Sequence, residues 1–125
     1  MHVLFATADE TEFTRLGKWL ASKQADATVS HARTTSDAVT AFGDGSVDCI
    51  VILPSIDDLD TRWRLARQAR RMKVAVMFVS DEPAPDQITL RGASVVTARE
   101  LTAESFAEFV ICLVASATGV HPSSR

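Results

Sequence analysis

Short apolar runs alternate with segments of helical periodicity along this chain of 125 residues. Most of the runs are apolar throughout rather than at every second position, which is typical of strands that are buried on both faces of a sheet. The second run contains more polar residues and is the weakest of the set. The predicted strands cover residues 2–7, 27–32, 48–53, 74–80 and 93–98.

Apolar residues at helical spacing predict four clear helices between and after these strands. In the first of them, Phe13, Leu16 and Leu20 share one face. Ser36 and Thr102 are the hydroxyl residues expected to cap the second and the last helix. The predicted helices cover residues 10–23, 37–43, 59–73 and 101–118.

The connection between the fourth and fifth strands is short. Eleven residues separate Ser80 from Gly92, and Pro83 and Pro85 are among them. Residues 88–92 leave room for a turn or two of helix at most. We therefore expect a shortened fourth helix at this place.

Strands that alternate with helices predict parallel βαβ units, and right-handed crossovers restrict these units to a doubly wound sheet. We expect an α/β fold of the flavodoxin-like kind, with five parallel strands in the order 2-1-3-4-5. Ligands of such sheets bind beyond the carboxyl ends of the strands, where the strand order reverses. In this order the point lies over the first and third strands.

The bulk properties exclude several classes of protein. The length suits one domain, and a net charge of -3 gives no electrostatic support for general nucleic-acid binding. The N-terminus lacks the pattern of a signal peptide, and the apolar run at 109–115 is too short to cross a bilayer. Cys49 and Cys112 lie in apolar runs, which favours reduced core thiols over a disulfide. A cytoplasmic location is expected.

Three segments carry a resemblance to a known family. DCIVIL (48–53) is an acid followed by an apolar run, VAVMFVS (74–80) is an apolar strand that ends on Ser80, and GASVVTAREL (92–101) closes the pattern. Together they resemble the receiver domain of response regulators, from residue 2 to residue 118. The resemblance implies a pair of acids after strand one, a phosphorylated aspartate ending strand three, a hydroxyl residue ending strand four, and a Lys-Pro pair ending strand five.

This chain departs from the family where the chemistry would sit. Leu53 stands at the phosphoacceptor position, Arg99 at the lysine and Glu100 at the proline. Leucine neither attacks a phosphoryl donor nor binds a cation, whereas Mg²⁺ requires hard oxygen ligands. A planar guanidinium also differs from the compact ammonium that it replaces. The resemblance therefore implies a degenerate receiver in which phosphotransfer fails.

The acid pair is lost as well. It aligns with Thr7 and Ala8 or, after a shift of one residue, with Ala8 and Asp9, so that at most one acid remains. We expect no bound metal, no cofactor and no enzymatic activity. The predicted degenerate pocket consists of Thr7, Ala8, Asp9, Leu53, Ser80 and Arg99.

Two alternatives keep a chemical role for this edge of the sheet. Asp57 or Asp58, just past the third strand, is a candidate for a displaced acceptor in a two-component phosphorelay, although acids at this place more often cap the following helix. A metal site is a further candidate here, and it would be formed by Asp9 and Glu10 with Asp57. The other alternative is a small-ligand sensor that uses the vacated pocket near Ser80 and Arg99.

Two helices suggest surfaces for partners. The third is strongly basic between residues 62 and 73, which favours a solvated face or an acidic partner over nucleic acid. The last presents Phe106, Phe109, Val110, Leu113 and Val114 as a core face, with further apolar residues on other sides. We expect a homodimer through the fifth strand and this helix. The predicted interface comprises Arg91, Arg99, Glu104, Glu108, Ile111 and Cys112.

These observations predict a receiver-like domain over residues 1–118. Residues 119–125 are expected to form a tail, or the start of a linker to an output domain. The favoured function is a phosphorylation-independent pseudo-receiver, an interaction and dimerisation module of a bacterial signalling or regulatory protein. Its expected partners are a second copy and an output domain or signalling protein, with no membrane contact.

Overall fold

The computed structural model describes residues 1–43, 45–80, 93–97 and 101–118. Nine elements follow one another within these residues, and strands and helices alternate except that β5 follows β4 directly. Their ends lie within one or two residues of the predicted ones. The elements are β1 His2–Ala6, α1 Glu10–Lys23, β2 Thr28–Ala32, α2 Thr35–Phe42, β3 Cys49–Ile52, α3 Leu59–Arg71, β4 Ala75–Ser80, β5 Ala93–Thr97 and α4 Ala103–Thr118.

The strands form a parallel sheet in the order β2-β1-β3-β4-β5, which is the predicted order. In β1 and β3, Ala6 lies beside Ile52, and in β4 and β5, Ser80 lies beside Thr97. The carboxyl ends of these strands therefore lie along one edge. The predicted doubly wound α/β class is confirmed. The shortened fourth helix and the tail fall on residues 81–92 and 119–125, outside the described residues.

Alternate side chains of the strands pack on opposite faces of the sheet, and each face has its own apolar core. Leu4, Ile50 and Phe78 belong to the core that α2 and α3 cover. Phe5 and Val51 belong to the core that α1 and α4 cover. Because every residue of β3 is buried, this strand has no solvent-facing side. This burial explains the uninterrupted apolar run in the sequence.

Side-chain caps fix the start of each helix. Asp9, Thr34 and Asp58 accept hydrogen bonds from backbone N–H groups of the first turns of α1, α2 and α3. Thr102 accepts from the N–H of Ser105, so that the predicted cap of the last helix is confirmed. The predicted cap Ser36 is wrong, because the helix begins earlier and Thr34 fills the role.

The C-terminus of α3 ends in a tight turn. The N–H of Val74 donates to the carbonyl of Ala69, and the N–H of Lys73 donates to that of Arg70, the pattern of a Schellman motif. Lys73 takes the left-handed conformation with φ 63 that this motif requires at its turning residue. The turn directs the chain straight into β4.

Helix α4 is apolar beyond its buried stripe. Phe106, Ala107 and Val110 are buried against the sheet and α1. Phe109 was predicted to belong to this core face, but it is 39% exposed and lies on the flank of the stripe. Cys112 is exposed rather than a core thiol, whereas Cys49 is buried as predicted. Within the described part of the chain, no helix is both long and apolar enough to cross a membrane.

Candidate functional site

The candidate site is the carboxyl edge of β1, β3 and β4, where Thr7, Leu53 and Ser80 end or directly follow their strands. The N–H of Leu53 donates to the carbonyl of Ala6 at 3.0 Å, which sets the first residues after β1 and β3 side by side. This is the switch point of the sheet.

Leu53 does not point into this switch point. Its side chain is 1% exposed and belongs to the apolar core beneath α1 and α4. Leu16 and Leu20 of α1 belong to the same core. The backbone carbonyl of Leu53 accepts from the N–H of Ile56 at 3.3 Å, so the chain turns immediately after the strand. At the position where the resemblance implies a phosphoacceptor, and where Leu53 was predicted to line the pocket, the protein therefore carries a core residue.

Thr7 is buried and stands at the centre of a hydrogen-bond network. Its Oγ1 lies 2.8 Å from the Oγ of Ser55 and 3.1 Å from the Oε1 of Glu12. The N–H of Asp9 donates to Thr7 Oγ1 at 3.0 Å, and the N–H of Ala8 donates to Ser55 Oγ at 3.1 Å. The network bridges the loop after β1 and the loop after β3.

One direction of the hydroxyl protons satisfies every member of this network. A hydroxyl supplies one proton and accepts up to two. Ser55 accepts from Ala8 and donates to Thr7, and Thr7 accepts from Asp9 as well. Thr7 then donates to the Glu12 carboxylate. Two neutral hydroxyls, backbone N–H groups and the single carboxylate of Glu12 thus occupy the edge where the resemblance implies a pair of acids and a cation.

The acids near β1 have other partners. Asp9 accepts from the N–H groups of Thr11 and Glu12 as the cap of α1, which is the role that the sequence favoured. Glu10 forms an ion pair with Arg33 at 3.2 Å. Among the described residues, no three His, Cys, Asp or Glu side chains gather closely enough to hold a metal ion.

Asp58 is the cap of α3, and its Oδ1 accepts from the N–H of Thr61 at 2.8 Å. Hydrogen bonding from Thr61 lowers the pKa of the Asp58 carboxyl, and the charges of Arg64 and Arg62 act in the same direction. The carboxylate is thus held by the helix that follows it.

Asp57 was expected to cap the helix that follows it, α3, but it has a different role. It takes φ 50, and its Oδ2 accepts from the N–H of Thr35 at the start of α2, 3.2 Å away. Its carbonyl accepts from Arg62, whose Nη1 also donates to the carbonyls of Pro54 and Ile56. One guanidinium thus holds the loop after β3 against α3.

The sequence did not single out Ser55 or His31. Ser55 follows a proline in a loop. Its hydrogen-bond partners lie 47 and 48 residues away along the chain, so the local sequence pattern did not reveal them. His31 Nε2 donates to the carbonyl of Thr7 at 2.8 Å, and its ring stacks on Phe13 at 4.4 Å between centroids. His31 and Phe13 together support the end of β1 from the β2 side.

Of the remaining predicted pocket residues, Ala8 is exposed and Ser80 is half-buried at the end of β4. Arg99 and Arg91 lie outside the described residues. The four other predicted interface residues share the outward face of α4, away from the buried stripe, and all four are exposed. They are Glu104, Glu108, Ile111 and Cys112.

No protein-family model matches the chain, and neither does any curated protein sequence. Solved structures do match. One is the N-terminal domain of a response regulator/sensory box/GGDEF protein from Carboxydothermus hydrogenoformans, with a TM-score of 0.74, 15% identity, and coverage of 95% of this chain and 98% of that chain. Another is the receiver domain of the hybrid histidine kinase CckA, with a TM-score of 0.68, 18% identity, and coverage of 91% and 99%.

A third similar structure is a CheY-like receiver domain protein from Methanospirillum hungatei, with a TM-score of 0.68, 15% identity, and coverage of 94% of this chain and 97% of that chain. At such identities the likeness establishes the fold alone. The chain has a receiver-like fold, as the sequence predicted.

Proposed function

We propose that this chain is a pseudo-receiver, a phosphorylation-independent interaction module of a signalling or regulatory protein. The observation that carries the proposal is the burial of Leu53, which is 1% exposed in the apolar core at the position where receivers are phosphorylated. A buried alkyl side chain offers no nucleophile and no ligand for Mg²⁺.

The neighbouring hydroxyl network supports the same function. In a receiver the acids and the cation at this edge respond to phosphorylation. Here Thr7 and Ser55 connect the two loops by hydrogen bonds that need neither a cation nor a phosphoryl group. The edge therefore keeps one conformation without a signal, which suits a module that positions other proteins.

Asp57 and Asp58 are less suitable as phosphoacceptors, because both acids already have structural roles. Asp58 accepts from Thr61 and Asp57 accepts from Thr35. Phosphorylation of either one would replace a hydrogen bond that holds the start of a helix. No observation on the described residues favours a small ligand at this edge over the interaction module.

We further propose that the module associates with a second copy through the region of β5 and the outward face of α4, and that it positions an output domain or signalling partner. Ile111 is 39% exposed on that face, and Cys112 beside it is exposed as well. An apolar patch that stays exposed on a protein surface commonly marks a protein contact.

Phosphorylation by a small donor tests the central part of this function. The chain is incubated with Mg²⁺ and acetyl phosphate, and its intact mass is measured. We expect no phosphoryl adduct, and we expect a sedimentation profile that does not change on addition of the donor. An adduct that disappears in the variant Asp57→Asn/Asp58→Asn would establish the phosphorelay alternative instead.

A further inference from the structure

The positive charge of this acidic chain is concentrated on α3 and the turn that follows it. Of its 13 lysines and arginines, six lie between residues 62 and 73, although the net charge is -3. Arg62 and Arg70 donate to backbone carbonyls of their own surroundings. Arg64, Arg67 and Arg71 are exposed and lie within one stripe of α3, at the spacing of one helix face.

These three arginines have no ion-pair partner in the part of the chain that the structure describes. The ion pairs found there join Arg15 to Glu12 and Arg33 to Glu10, on other elements. The stripe therefore presents cationic groups that are free to bind an acidic surface.

A groove runs beside the stripe, between α2 and α3, with a volume of about 190 Å³. Val39 and Leu65 supply its apolar floor, and Arg64 and Gln68 stand at its rim. A cavity of about 150 Å³ holds a benzene molecule, so this groove has room for one large apolar side chain. A fitting occupant is a helix that carries acids together with one exposed apolar residue.

Helix α4 of the same chain has this character. Glu104, Glu108 and Ile111 follow the i, i+4, i+7 spacing, which places them on one stripe. All three are exposed, and Ile111 is 39% exposed although it is large and apolar. The helix contains no lysine or arginine that could pair with the two carboxylates. Any cationic partner of these carboxylates must therefore come from outside the helix.

We propose that the acidic stripe of α4 (Glu104, Glu108 and Ile111) in one copy docks on the basic stripe of α3 (Arg64, Arg67 and Arg71) in a second copy, with Ile111 entering the α2–α3 groove. The inference rests on the proposed self-association through α4 and names the surface that α4 meets. The contact is heterologous, because the two copies use different surfaces. Each pair therefore leaves one free stripe of each kind, and the assembly grows with concentration.

Charge reversal on one side at a time tests this contact. The variants are Arg64→Glu/Arg71→Glu and Glu104→Lys/Glu108→Lys, and the control Lys18→Glu/Lys23→Glu reverses two exposed charges on α1. Circular dichroism verifies that each variant folds, and sedimentation velocity over a concentration series measures the self-association of the full chain. We expect each of the first two variants to associate at least about tenfold more weakly than the parent chain. The control should associate like the parent chain.

The decisive sample is the equimolar mixture of the two stripe variants. Since one copy then keeps the acidic stripe and the other keeps the basic stripe, and the two reversed stripes also carry opposite charges, we expect the mixture to associate although neither variant does so alone. If only the α4 variant weakens association, α4 meets another surface, which overturns this inference and leaves the proposed self-association in place. If the parent chain stays monomeric over the whole series, both are overturned.

Discussion

The side-chain oxygens of Thr7 and Ser55 lie 2.8 Å apart and join the loop after β1 to the loop after β3. Ser55 Oγ also accepts from the N–H of Ala8, so a single exposed serine holds both loops. This bridge stands where a receiver would place its acids and cation. Its strength determines how rigid the edge is in the absence of a signal.

Removing the bridge should lower the stability of the fold. We expect Ser55→Ala to reduce the free energy of unfolding by about 1 kcal/mol, because two hydrogen bonds are lost and water replaces them in part. Thr7→Val should cost at least as much, since Thr7 is buried. In the double variant the losses should fall short of additivity by about 0.5 kcal/mol or more.

Urea unfolding measures these differences. The control is Ser36→Ala, which removes an exposed hydroxyl from α2 and should change stability by less than about 0.5 kcal/mol. Fully additive losses for Thr7→Val and Ser55→Ala would show that the two hydroxyls do not interact in solution.

Restoring an acid at position 53 should not restore phosphorylation. Leu53→Asp places a carboxyl group in an apolar core, and we expect a loss of about 3 kcal/mol or more in the free energy of unfolding. Leu53→Met keeps the volume and should cost less than about 1.5 kcal/mol. Unfolding curves together with intact mass after acetyl phosphate treatment measure both effects. A Leu53→Asp chain with near-parental stability and a phosphoryl adduct would contradict the burial of this side chain.

Asp58 should make the fold sensitive to acid. Hydrogen bonding from Thr61 lowers its pKa in the folded protein from the ordinary value of 3.8, so its carboxylate stabilises the fold above that value. The contribution is lost as the pH falls through the lower, folded pKa. Asp58→Asn keeps a capping oxygen but cannot titrate. We therefore expect the parent chain to lose melting temperature relative to Asp58→Asn below about pH 4.

Asp58→Ala serves as the comparison for this effect, because it removes the cap at every pH. It should melt below Asp58→Asn at neutral pH, and its difference from the parent chain should shrink in acid. Parallel melting temperatures for the parent chain and Asp58→Asn at all pH values would contradict the assigned cap.

The two cysteines should differ in reactivity. Burial, and to a lesser extent the charge of Asp48, raises the pKa of Cys49 to about 12, so this thiol stays protonated and enclosed at neutral pH. Cys112 is exposed. We expect a thiol reagent to modify one cysteine quickly in the native chain and both after unfolding. Because Cys112 adjoins Ile111, its reaction should slow as the chain self-associates, and equal rates at all concentrations would place it outside the contact.

The fold was predictable because apolar runs and helical periodicity depend on nearby residues. Strand β3 is buried throughout, and its sequence is apolar throughout. The cap of α2 was less certain, because hydroxyl residues stand at positions 34, 35 and 36 and only the backbone decides among them. Lys73 gave no sign of its left-handed conformation, since glycine is the usual residue there.

The site was predictable only in part. The place of Leu53 at the end of the third strand followed from the resemblance, but Leu53 was predicted to line the pocket and instead lies in the apolar core. The role of Ser55 did not follow from the sequence, because it depends on a hydrogen bond to a residue 48 positions away. The exposure of Phe109 was also missed. Successive residues of a helix are about 100° apart, which places Phe109 at the border of the buried stripe.

An amide NMR titration tests the pseudo-receiver function most directly. The labelled chain is titrated with Mg²⁺ and then with beryllofluoride, which mimics an aspartyl phosphate, and the amide shifts are followed by residue. We predict that the amides of Ala8, Asp9, Leu53 and Ser80 do not move beyond the small uniform changes caused by added salt. Saturable shifts that cluster at Asp9, Asp57 and Ser80 would show a working phosphoacceptor pocket and would contradict a phosphorylation-independent module.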